Sequence, residues 1–229
     1  MAEGPSRHLE NENMGNQDEG AQAPFQGSLL GKMADLVDFL LSKYRRKETS
    51  TQAEMLREVF NNEQNHFPEI FSQARECLQL VFGIEMQENS QAHNYVLAPT
   101  LGLTYDGMTE AEDSKPKTGL LILVLGVILR GGGYASQEAV RAVLGVMGLF
   151  DRRGYSVFGE PWQLLTNEWV REQYLVYQQV PGSQPPRYEF LWGPRAHAET
   201  SKVRVRELWL RVINRYQYIG LPPAHRDGS

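Results

Sequence analysis

The chain has 229 residues, 41% hydrophobic and 22% charged, enough apolar material for one large domain or two small ones without a stapling bridge. Its single cysteine, Cys77, excludes an intramolecular disulfide and any zinc site built on several cysteines. The formal charge of −5 sits mostly in residues 1–27, where Glu3, Glu10, Glu12, Asp18 and Glu19 face Arg7 alone; the near-neutral body lacks the overall electrostatic footprint of a nucleic-acid binder.

Residues 1–27 are rich in Glu, Asn, Gln and Gly, and their composition predicts a disordered segment with no apolar signal-peptide core. Helical periodicity begins at Ser28 and runs to about Lys47. Leu29, Leu30, Met33, Leu36, Val37, Leu40, Leu41 and Tyr44 share one arc, with Leu41 at its edge and Phe39 outside it, between Lys32 and Lys43. Thr51-Gln52-Ala53-Glu54 has the T-x-x-E pattern of a capping box and opens a second helix. A third follows Pro68, with Ile70, Phe71, Ala74, Cys77, Leu78, Val81 and Phe82 at helical spacing and Gly83 as its stop. IEMQE and NYVLA then read as a hairpin around Asn89 to Asn94. Three helices followed by a hairpin is the order of a winged helix.

Residues 101–116 read as a linker, in which Gly102, Gly107, Ser114 and Pro116 make mobility an expectation. The same plan then returns. GLLILVLGVIL, Gly119 to Leu129, is too short to cross a bilayer and reads as a fully buried helix. Helices follow at Ser136 to Gly148 and at Pro161 to about Gln173. Strands YLVYQQV and RYEFLW flank the turn PGSQPP, and a last helix spans Glu199 to Tyr216. The expected class is mainly α with small β-hairpins, as tandem winged-helix units: 28–100 and 117–216, with 217–229 as a disordered tail.

Five strings carry a resemblance: FPEIFSQARECLQLVFGIE, LGLTYDG, PKTGLLILVLGVIL, VMGLFDRRGYSVFGEPWQLLT and VYQQVPGSQPPRYEFLWGPRAHAETSK. In that order, over about residues 28–215, they resemble the MAGE (melanoma antigen) homology domain of A/B-type members. The resemblance implies tandem winged helices, no catalysis, and partnership with a RING-type E3 ubiquitin ligase and its substrates; the residues themselves lead to an expectation of no cofactor and no metal. The resemblance also implicates the paired leucines of the first helix, so the expected ligase-docking surface is Phe39, Leu40 and Leu41. Leu40 lies well inside the apolar arc and reads as core. Leu41 and Phe39 are the candidates for exposed contact. A groove between the two units is expected to receive a peptide.

The enzyme reading lacks a nucleophile, base and orienting group in a recognisable arrangement. His8, His66, His93, His197 and His225 form no i, i+4 ligand pair, and Cys77 falls on an apolar helix face. Gly131-Gly132-Gly133 follows a helix and lacks the Lys and Ser/Thr of a phosphate loop. The runner-up reading is a winged-helix DNA-associated or transcription regulatory factor. Its third helices are poor candidates, since Arg75 faces Glu69 and Glu76, and Arg171 faces Glu168 and Glu172. The basic spots are Arg45-Arg46-Lys47, Arg152-Arg153, and Lys202, Arg204, Arg206, Arg211 and Arg215. The expected localisation is cytoplasm and/or nucleus, with no membrane partner.

Overall fold

The computed structural model describes residues 22–62, 64–111, 114–148 and 158–216. Most of the opening segment, the 217–229 tail and the Arg152-Arg153 pair lie outside them. Helix α1 (Gln22–Arg45) starts six residues earlier than its periodicity suggested, inside the stretch expected to be disordered. Pro24 falls in its first turn, where a missing N–H costs nothing. Helix α2 (Gln52–Phe60) opens on the reciprocal capping box of Thr51 and Glu54. Helix α3 (Phe67–Cys77) runs on through a π-helical turn (Leu78–Phe82) and stops at Gly83, whose φ of 67° is the left-handed conformation that glycine supplies cheaply. Strands β1 (Ile84–Asn89) and β2 (Asn94–Pro99) form the hairpin in register Ile84↔Pro99. Ser50, between α1 and α2, bridges Tyr95 on the outer edge of β2.

The second half repeats this plan with a fuller sheet. Helix α4 (Thr118–Arg130) is buried continuously from Thr118 to Ile128. Strand β3 (Tyr134–Ser136) leads into α5 (Gln137–Val146), capped by the Ser136 hydroxyl. The next helical stretch is α6 (Pro161–Gln163), a π turn (Leu164–Glu168) and α7 (Trp169–Arg171). Strands β4 (Leu175–Gln179) and β5 (Tyr188–Trp192) complete an antiparallel sheet in the order β3-β5-β4. Helix–strand–helix–helix–strand–strand with the first strand beside the last is the winged-helix topology. In the first half the Ser50–Tyr95 bridge holds the place of that first strand. Helices α8 (Pro194–Glu199) and α9 (Lys202–Tyr216) close the chain.

Each half has its own hydrophobic core. The first gathers residues from Leu36 to Met86, among them Leu40, Met55, Ile70 and Leu78. The second gathers residues from Leu101 to Val212 around α4, with Trp169, Tyr174 and Phe190 buried completely or nearly so. The Trp192 indole N–H donates to the Leu125 carbonyl at 2.9 Å, fastening β5 to α4 inside that core. Cys77 is half-buried against the first core, as its place on the apolar face of α3 suggested. No described helix is long and apolar enough to cross a membrane.

The stretch read as a loose linker is bonded to both halves. Leu101 and Leu103 are buried in the second core. Thr104 donates its N–H and hydroxyl to the Glu199 carboxylate, and the Tyr105 hydroxyl donates to Glu168 at 2.5 Å. Asp106 turns the other way and accepts from Tyr44 of α1 at 2.7 Å. Three consecutive residues of the LGLTYDG string thus hold opposite halves.

Candidate protein-interaction surface

The C-terminal half of α1 is where sequence expectation and structure meet. Leu40 is 0% exposed and Leu41 6% exposed, both inside the first core. Leu41 is therefore a core residue and offers no exposed contact. Its position at the edge of the apolar arc left this open, and the packed core of the first half closes over it. Phe39 is half-buried. It packs against the same core, and the Lys43 ammonium lies 5.7 Å from its ring centre.

Lys43 is itself held by two carboxylates, Glu48 at 3.1 Å and Glu54 at 3.3 Å. The Glu48 hydrogen bond is the largest influence and, with Glu54 adding to it, pushes the Lys43 pKa up against the opposing effect of desolvation. Glu54 sits below the usual carboxylate range, chiefly because it accepts the Thr51 backbone N–H, with Lys43 adding to the effect. The capping box of α2 and the cation over Phe39 thus share one carboxylate. Around them α1 receives the connecting stretch. Lys115 pairs with Asp38 at 2.7 Å, and Arg45 donates to the carbonyls of Ala111 and Ser114. Burial first, then the Asp106 hydrogen bond, pushes the Tyr44 hydroxyl well above the usual tyrosine range.

The halves also touch backbone to backbone. A Cβ placed on Gly119 of α4 would lie under 3.0 Å from the Val81 carbonyl in the π turn, and one on Gly83 would also come under 3.0 Å of Gly119 and Thr118. Phe39 is thus mounted on a helix locked into one core, whose C-terminal turn is tied to the connection with the other. Among the described residues, no group of three or more His, Cys, Asp or Glu is placed to hold a metal ion.

A family model, the MAGE homology domain, matches residues 87–203. The chain belongs to the MAGE family. Human melanoma-associated antigen 8 is 53% identical to it over 204 residues, covering 89% of this chain and 64% of that protein. Human melanoma-associated antigen 4 is 52% identical over 193 residues, covering 84% and 61%. The chain therefore spans a little under two thirds of the length of these MAGE relatives. Among solved structures, a chain described as the Nse1-Nse3-Nse4 complex matches at 31% identity with a TM-score of 0.40, over 85% of this chain and 98% of that one.

Two contributors to this face carried no signal in the sequence reading of α1. Tyr44 belongs to the apolar arc by spacing, yet its hydroxyl has a specific partner 62 positions away. Lys43 was read as a neighbour of Phe39, while its two carboxylates come from the turn after α1 and from α2. The capping box is a usable signal for Glu54, and nothing local points to Glu48.

Proposed function

We propose that this MAGE chain is a non-enzymatic adaptor that binds a RING-type E3 ubiquitin ligase and modulates its activity or choice of substrate. Family membership carries the reading. The geometry of α1 supports a docking point at Phe39, with Leu40 and Leu41 setting the helix from behind. A half-exposed aromatic on a rigid helix, beside a cation fixed by two carboxylates, has the features of an interface anchor. The DNA-associated reading gains little from the third helices. Arg75 donates to the Met86 carbonyl of its own hairpin at 3.2 Å, and Arg171 lies 3.7 Å from Glu172.

Separate Phe39→Ala and Leu41→Ala variants test the docking point. Leu41→Ala empties a buried site and is expected to cost about 2–5 kcal/mol of stability. Phe39→Ala removes a half-exposed ring and is expected to cost about 1 kcal/mol. In ligase pull-downs below both melting temperatures, Phe39→Ala should bind at least about tenfold more weakly, and Leu41→Ala should bind as wild type. Equal ligase binding by Phe39→Ala and wild type would place the docking surface elsewhere.

A further inference from the structure

The outer face of α9 matches neither the core nor the docking point on α1. Val205, Leu208, Trp209 and Val212 face inward and are buried. On the opposite side Val203 is 66% exposed and Leu210 40% exposed, two turns apart in line. Arg206 stands between them, and Lys202, Arg204 and Arg211 flank the line, all exposed. Over its length α9 carries five cations and one acid, Glu207. Among the described residues, Lys202, Arg206 and Arg211 have no carboxylate within salt-bridge distance. Arg204 alone is engaged, donating to the Leu101 carbonyl at 3.3 Å.

Positions 203, 206, 210 and 213 follow the 3-4-3 spacing along which one helix seats another. Two of them are exposed aliphatics, and Ile213 is half-buried. We infer that the outer face of α9 is a second docking surface, and that its occupant is an acidic amphipathic helix of a partner protein. The aliphatics in the seam would take the partner's apolar ridge, and the flanking cations its carboxylates. Charge complementarity of this kind sets partner choice and speeds encounter. A nucleic-acid backbone would use the cations but leave Val203 and Leu210 without a role.

The test uses the whole chain and a labelled synthetic helix with Leu at its a and d positions and Glu at e and g, followed by fluorescence anisotropy. A version with Lys in place of Glu and a labelled DNA duplex serve as comparators. The acidic helix should bind, with affinity falling as salt rises, and the Lys version should not. Arg206→Glu with Arg211→Glu should weaken binding about tenfold or more, and Val203→Ser with Leu210→Ser about as much. All four side chains are exposed, so melting temperatures should hold. Should the charge reversals melt early, Val203→Ser alone decides. Ligase capture through Phe39 should be unchanged in every α9 variant, which separates this surface from the proposed function. Failure of the acidic helix to bind wild type, indifference of its binding to both pairs of changes, or tighter binding of the duplex than of the helix would each overturn the inference.

Discussion

Alanine at Gly119 is expected to destabilise the protein by about 3 kcal/mol or more, a fall in melting temperature of roughly 6–12 °C for a chain of this size. The new Cβ would lie under 3.0 Å from the Val81 carbonyl, a backbone atom that cannot swing aside. Either α4 or the π turn must move, and that opens the contact between the two cores. Gly126, two turns along α4, poses the same problem against the buried Trp209 indole. Gly145 in α5 is the control, because a Cβ there meets nothing within 4 Å. Alanine at Gly145 should stabilise by about 0.5–1 kcal/mol through helix propensity alone. One substitution type thus carries opposite signs at two helical positions, and thermal melts of the two variants check it. A Gly119→Ala protein that melts with wild type would mean the halves do not meet where described.

The second large effect is expected from Glu199, read as a function of pH. Its carboxylate accepts from Thr104, from Tyr174 at 2.6 Å and from Arg195 at 2.9 Å. Burial works to raise its pKa, and these hydrogen bonds together outweigh it, leaving the group at about 2 against an ordinary 4.5. A carboxyl depressed on folding stabilises the folded state above its unfolded pKa and loses that contribution as pH falls through the folded value. The contribution should be complete above about pH 4.5 and gone near pH 2. Its size is on the order of 3 kcal/mol, for a side chain 17% exposed. Glu199→Gln should therefore melt well below wild type at pH 7, and the gap should close between pH 4.5 and 2. Glu48 and Glu54 are also depressed, but they titrate in both proteins and cancel in the difference. A gap constant with pH would show that Glu199 acts through packing rather than charge.

These two contacts also mark where sequence reading stops. Local signals located most elements. The Thr51–Glu54 box, the stop at Gly83 and the continuous apolar run of α4 each rest on neighbours in the chain, and each is found where expected. Strand β3 was missed because three residues beside a glycine run make no periodic pattern, and its pairing with β5 lies more than fifty positions away. Helix α8 was missed because Pro194 and the break at Thr200 cut the last helical stretch in two. The connection from Leu101 to Asp106 reads as a linker by composition, while its anchors, Tyr44, Glu168, Tyr174 and Glu199, come from both halves. In the candidate docking surface, the wheel put Leu40 inside and left Leu41 at the border. Only the packed core settled Leu41, and only the fold brought Glu48 and Glu54 together on Lys43.

We propose that the chain works by holding a RING-type ligase through the first helix. Affinity capture of the intact chain from cultured cells under mild conditions, read by mass spectrometry with wild type beside Phe39→Ala, tests it most directly. A RING-domain ligase recovered with wild type and depleted with a folded Phe39→Ala protein is the predicted result. Recovery of no RING-domain protein with wild type would contradict it.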